Sequence, residues 1–342
     1  MNLLFKRKKS FIVIVSLVTT NLVTYYYTTK KDQSSTETTE MNSAFSDNSN
    51  CAVKVKRLGG YNYIRPVLFV DKECESDKLL PIKQNVTTQI DEYKRVGSIQ
   101  SASIYLKEYT NNEWMAINND EKFLPGSLMK VPQLIAFLKM EEAHPGVLNS
   151  QLLFDKVVDV DKHPKYVSKS IVLGQKYTVK ELLKYMIMYS DNNATTLLFS
   201  HMDYDIFYKV FTDMGLQAPN LTEQNNPINA KDFSIFMRVL YNSSYLSDKN
   251  SEFATELLSK CNFTEGLVSG LPSSVKVAHK FGEAGDPTEK HLCESAIVYL
   301  DNNPYILTVM VKGQDLAKLP EIIKEISATV YKDMSAAAKP AL

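Results

Sequence analysis

The chain has 342 residues, 23% of them charged, with 39 basic and 39 acidic side chains and a formal net charge of zero. The balance argues against nucleic acid as a partner, since a phosphate backbone calls for a basic excess. Four cysteines (Cys51, Cys74, Cys261 and Cys293) form no CxxC pair and have no neighbouring histidine partner, so neither a metal site nor any cofactor is expected.

Lys6, Arg7, Lys8 and Lys9 precede an almost uncharged run over 11–27, with Tyr25, Tyr26 and Tyr27 at its far end and Lys30 and Lys31 beyond. Seventeen residues are at the short end of what spans a bilayer, and the charge asymmetry keeps 1–10 cytoplasmic. An uncleaved membrane anchor and a secretory signal peptide both fit. The lack of a small-x-small cleavage site favours the anchor. Either way the rest is expected outside the cytoplasm, membrane-anchored or, after cleavage, secreted.

The polar stretch 28–50 reads as a disordered linker. Residues 51–83 hold one short apolar piece at 63–70 and are either a cap on the main unit or a small appendage. In an exported protein the cysteines are free to form disulfides. Cys51–Cys74 and Cys261–Cys293 close the shortest loops, but other pairings, or free buried thiols, stay open.

From 84 to 335 the pattern is one unit, with a short tail at 336–342. Residues 101–109 and 113–118 flank the polar turn Asn111-Asn112, an expected hairpin. A helical pattern runs over 127–142 and stops at His144-Pro145-Gly146. Thr178-Val-Lys-Glu181 is a capping box opening another helix. Phe233, Phe236, Met237 and Leu240 share one helical stripe and are expected in the core. Three strands are expected at 275–280, 295–300 and 305–311, with a turn at 301–304, then a last amphipathic helix carrying Leu319, Ile322, Ile323, Ile326 and Val330. Strands at both ends with helices between them predict an α/β (α+β) fold. Its antiparallel sheet is built from both chain ends with flanking helices, and an all-helical subdomain is inserted in the middle.

Three short stretches carry candidate chemistry. In Ser127-Leu-Met-Lys130 the residues i and i+3 share a helix face, so a lysine amine can reach a hydroxyl that needs a base. Ser190-Asp191-Asn192 interrupts two apolar helical stretches, where Asp191 also suits a helix cap. His279-Lys280-Phe281-Gly282 lies on an expected strand, and Gly282 allows a substrate backbone to come close.

Taken in order, Ser-x-x-Lys, Ser-Asp-Asn and Lys-x-Gly resemble the three-part signature of class A β-lactamases and penicillin-binding serine hydrolases, over roughly 84–335. The resemblance implies an acyl-enzyme at Ser127, deprotonated with the help of Lys130. It implies that Ser190 passes a proton to the leaving group and that Asn192 binds the substrate's amide side chain. Lys280 is implied to set the field at Ser190 and attract a substrate carboxylate, and the backbone N–H groups of Ser127 and Glu283 to form the oxyanion hole. The implied substrates are β-lactams or cell-wall D-Ala peptides. Two departures stand out. Phe281 replaces the hydroxyl residue of the third motif. The 217–228 stretch, about a dozen residues shorter than in class A enzymes, lacks their glutamate pattern and leaves only Glu223 as a candidate deacylation base. The alternative reading is a catalytically idle, surface-anchored binding or sensor module.

Overall fold

The computed structural model describes residues 38–41, 51–157, 165–166, 168–223 and 226–337. The expected cytoplasmic tail, the membrane segment 11–27 and most of the linker lie outside the described residues. Among the described residues no helix is long and apolar enough to cross a membrane.

The N-terminal part is a small antiparallel sheet of β1 (Thr38–Met41), β2 (Val53–Arg57) and β3 (Val67–Lys72), in that order. A strand at Thr38–Met41 departs from the expected structureless linker; its register runs from Thr38 opposite Lys56 to Met41 opposite Val53. Backbone pairing to the β2 edge supplies an order that polar composition alone does not reveal. A disulfide joins Cys51 to Cys74, just outside the two strands, while Cys261 and Cys293 are free and buried. Those two thiols belong to core clusters on opposite faces of the main sheet, Cys293 to one and Cys261 to the other, so the alternative short-loop pairing does not form.

Residues 51–83 are knitted into the main unit. Leu58 and Leu68 join the larger core, and Asp71 on β3 takes a two-pronged ion pair from Arg238, Nη1 to Oδ2 at 3.0 Å and Nη2 to Oδ1 at 2.6 Å. Lys107 adds a third contact to Asp71 at 3.2 Å. The following helix, α1 (Leu80–Arg95), begins with Pro81 in its first turn, before residue 84.

The main sheet contains β4 (Ser101–Glu108), β5 (Trp114–Ile117), β8 (Lys276–Gly285), β9 (Lys290–Tyr299) and β10 (Tyr305–Gly313), in the order β5-β4-β10-β9-β8 and antiparallel throughout. A short hairpin of β6 (Gln151–Leu153) and β7 (Lys176–Thr178) lies in the inserted part. Period-two alternation gives the main sheet two apolar faces. Ile104, Leu106, Leu307 and Val309 meet α1 and the C-terminal helix α8 (Leu319–Ala337), through Ile82, Val86, Ile90, Ile322, Ile323 and Ile326. Tyr105, Ile297, Ile306 and Met310 meet the helical subdomain. That subdomain comprises α2 (Lys130–Ala143), α3 (Val179–Met188), α4 (Asn192–Phe199), α5 (Tyr204–Asp213), α6 (Ala230–Tyr241) and α7 (Asp248–Ser259). The expected sheet from both chain ends and inserted helical subdomain are both present. Phe233, Phe236, Met237 and Leu240 are buried on α6 as expected. The capping box is also present, with Thr178 Oγ1 accepting from Glu181 N and the Glu181 carboxylate accepting from Thr178 N.

Candidate active site

The three short stretches meet where α2, the α3–α4 junction and β8 converge. The expected helix from Ser127 is different at its start: Gly126–Met129 is a 3-10 turn, and the α-helix begins at Lys130. Gly126 has φ +52°, and a Cβ there would collide with the Glu283 carbonyl. Gly282 is as confined, since its Cβ would lie 2.8 Å from Ser127 N and 2.6 Å from Leu128 N. Two glycines thus let the edge strand β8 press backbone to backbone onto the turn that holds Ser127. The Ser127 side chain remains half-buried at the junction.

Lys130 is buried, and its ammonium nitrogen donates to Ser190 O at 2.6 Å, Asn192 Oδ1 at 2.7 Å and Ser190 Oγ at 3.2 Å. From the other side Lys280 Nζ donates to the same Ser190 Oγ at 3.0 Å and to Phe281 O at 3.0 Å. Ser190 therefore bridges two buried amines. Its φ of +55° is left-handed, which costs a residue with a side chain about 1–3 kcal/mol and is held by the helices on either side. Asp191, buried beside it, points elsewhere. It caps α4 through Asn193 N at 3.0 Å and receives Ser170 Oγ at 2.8 Å and Ile171 N at 2.9 Å. Asp191 is thus a tether for the 168–171 segment as well as the cap that its sequence position allowed.

Electrostatics follow from this crowding. Burial, then repulsion from Lys280, holds the Lys130 pKa well below that of an ordinary lysine, against the opposing pull of Asp191 and Glu283. Burial brings Lys280 down to about 8, opposed by Cys261, Glu294 and Glu283. An uncharged lysine amine next to a hydroxyl network can accept a proton at neutral pH, as a nucleophilic serine requires. The hydrogen bonds of Lys130 Nζ run to Ser190 and Asn192; Ser127 stands three residues before it, on the preceding 3-10 turn.

The Phe281 ring lies against the Lys280 amine, whose Nζ is 4.0 Å from the ring centroid. It stacks on Phe263 at 4.2 Å and meets the edge of Tyr166 at 5.9 Å, so this third-motif position contributes an aromatic wall and a carbonyl acceptor. The Glu283 carboxylate accepts from Tyr166 N at 3.4 Å. Glu223 lies exposed on the short 217–228 stretch, its carboxylate held by Asn220 Nδ2 at 2.7 Å. It borders a cavity of about 350 Å³ with Met129, Asn226 and Asp232, and makes no hydrogen bond with Ser127 or Lys130.

The buried contact of His279 with Glu294 and Cys261 escaped the sequence reading, which named His279 only within the third stretch and Cys261 only as a possible disulfide partner or free thiol. His279 Nδ1 meets Glu294 Oε1 at 2.7 Å, and Glu294 Oε2 accepts from Leu267 N at 2.8 Å. Burial would lower the His279 pKa, but Cys261 and Glu294 raise it to about 10; burial would raise that of Cys261, but His279 and Lys280 lower it to about 7. Cross-strand position links Glu294 to the Lys280 stretch, being opposite Phe281, but no short motif marks the pair.

A curated protein of Phocaeicola vulgatus, described as a beta-lactamase, is 24% identical over 294 residues, covering 76% of this chain and 88% of that protein. Among solved structures, an acyl-enzyme complex of a PBP-A mutant with penicillin G has a TM-score of 0.64 at 20% identity, covering 75% of this chain and 97% of that one. A class A beta-lactamase from Mycobacterium abscessus has a TM-score of 0.62 at 17% identity, covering 73% and 98%. These structural likenesses establish the fold. The model of the beta-lactamase enzyme family matches residues 84–334, a span that includes every side chain meeting at Ser190, and the chain belongs to that family of serine hydrolases.

Proposed function

We propose that the protein is a penicillin-binding, D-Ala-peptidase-like serine enzyme that forms an acyl-enzyme at Ser127 with β-lactams or cell-wall D-Ala peptides. The observation that carries this reading is the single hydroxyl of Ser190 held between the amines of Lys130 and Lys280. Ser127 Oγ attacks the carbonyl carbon as its proton moves to the uncharged Lys130 amine. Ser190 relays a proton to the departing nitrogen as the C–N bond breaks. Backbone N–H groups of Ser127 and Glu283 receive the oxyanion, and Asn192 orients the acyl amide. Lys280 keeps the relay polarised. The PBP-A complex with penicillin G supports such chemistry on this fold.

Release of the acyl group is proposed to be slow. General-base help to the hydrolytic water is worth about 10²–10⁴-fold, and Glu223 is engaged with Asn220 on an exposed loop. We further propose that 11–27 anchors the chain with its enzyme domain outside the cytoplasm, as the flanking charge supports. Protease added to intact cells should then digest the domain, while carbonate washing leaves the chain in the membrane fraction.

The test of function is incubation of the full chain with a fluorescent penicillin. Covalent label that persists for hours and disappears in Ser127→Ala supports the reading. Label that turns over within seconds indicates an efficient lactamase. No label from any acyl donor favours an idle binding module, a reading to which the aromatic wall at Phe281 lends some support.

A further inference from the structure

A groove outside the catalytic cluster lies between α3 and α7. It holds about 440 Å³, the size of a small-ligand site. Tyr185, Tyr189 and Phe253 line it as half-buried rings, and the two tyrosine rings stand 5.5 Å apart, inclined at 61°. Its rim is cationic. Lys169, Lys180, Lys184 and Lys260 line it against two acids, Glu181 and Glu256. Both acids are already committed: Glu181 accepts from Thr178 at the start of α3, and Glu256 pairs with Lys260 at 2.5 Å. Lys169, Lys180 and Lys184 are exposed and make no ion pair among the described residues. Two of these amines sit beside the rings. Lys169 Nζ lies 5.4 Å and 5.3 Å from the Tyr185 and Tyr189 centroids, and Lys180 Nζ lies 5.3 Å from that of Phe253. Aromatic surface and uncompensated charge thus occur side by side, twice over.

We propose that this groove is a second binding site, for a saccharide that carries carboxylate or phosphate groups. The C–H face of a pyranose packs on an aromatic ring, and an anionic substituent just beyond the sugar ring meets the neighbouring amine. An acidic peptide fits less well. The walls are helices whose interior N–H and C=O groups are bonded within the helix, so an extended peptide backbone finds no edge to pair with. The groove adjoins the catalytic cluster along the chain: Tyr189 precedes Ser190, and the Tyr185 carbonyl accepts from Asp191 N at 3.2 Å. The proposal concerns binding alone and is independent of acylation at Ser127.

Isothermal titration calorimetry of the full chain at low ionic strength tests it. The probes are digalacturonate (carboxylates), trehalose 6-phosphate (phosphate), trehalose (neutral) and triglutamate (acidic peptide). At least one of the two anionic saccharides should bind about tenfold or more tightly than both trehalose and triglutamate, and which one it is tells carboxylate from phosphate. The double substitution Lys180→Gln with Lys184→Gln should weaken that binding about tenfold or more, while fluorescent penicillin labels Ser127 at the unmodified rate. Tyr185→Leu should weaken it about threefold or more. Binding of trehalose or triglutamate as tight as that of the anionic saccharides overturns the proposal. So does binding unchanged in either variant, or no binding of any probe at millimolar concentration. Penicillin labelling of Ser127 retained in those cases leaves the acyl-enzyme reading standing.

Discussion

Two buried clusters of positive charge sit on either side of the helical subdomain's contact with the sheet, and they resolve their charge differently. At the first, Arg238 and Lys107 converge on the carboxylate of Asp71, with both guanidinium branches engaged. Burial would raise the Asp71 pKa, but Arg238 and Lys107 hold it below that of an ordinary carboxylate. At the second, Lys130 and Lys280 share the Ser190 hydroxyl and otherwise donate to uncharged carbonyl and amide oxygens. Burial lowers Lys107 to about 8 just as it does Lys280, so a depressed pKa by itself does not mark a reactive site. The partner does. A carboxylate fixes a charge and holds elements together. A shared hydroxyl leaves an amine able to take up and give back a proton.

Substitutions should separate the two clusters. The largest effect is expected for Lys130→Met. Loss of the base should slow penicillin acylation by about 10²–10⁴-fold, with the melting temperature maintained because a buried polar amine is replaced by an apolar side chain of similar length; stopped-flow labelling and calorimetry read the two. Asp71→Ala should do the reverse. Leaving Arg238 and Lys107 without their shared anion should cost about 3–5 kcal/mol of stability, measured by urea unfolding, while the folded fraction acylates at its normal rate. If Asp71→Ala were instead stable but unreactive, the distinction between the clusters would collapse.

The pH dependence sharpens the same contrast. Lys130 acts as base only when uncharged, so acylation should rise with pH through its depressed pKa. Lys280 supports the relay only while protonated, so the rate should fall again above about 8. The apparent values belong to the coupled pair. A rate that climbs without limit to pH 10 would exclude Lys280 from the relay. The smallest effect is expected for Glu223→Gln: less than about twofold in the release of bound penicillin, against the 10²–10⁴-fold slowing expected if Glu223 were the deacylation base.

Much of this was readable in the chain itself. Short apolar runs bounded by turn residues located β4, β10 and the second half of β9, and the Thr178–Glu181 box located the start of α3, because each depends on neighbours within a few positions. The convergence of Lys130, Ser190 and Lys280 was legible only through the resemblance to a known signature, since no local rule brings residues 60 or 90 positions apart together. For the same reason the Asp71–Arg238 pair, 167 positions apart, left no trace, and residues 51–83 could not be placed. The disulfide choice was set by which face of the sheet each thiol occupies, a tertiary fact. Phe281 was readable as a missing hydroxyl but not as a ring stacked on Phe263, because its neighbour comes from the loop after α7. The hydrophobic pattern is continuous across Ser127 and so predicts α-helix where the structure has a 3-10 turn; the close approach of Glu283 to Gly126 accompanies the tighter turn.

Intact-mass spectrometry of the full chain after exposure to penicillin G, followed by peptide mapping, tests the central claim most directly. The account predicts one added penicillin per chain, carried on the peptide containing Ser127 and missing from Ser127→Ala. An adduct on any other residue, or an unmodified mass after exposure to penicillins, would contradict it.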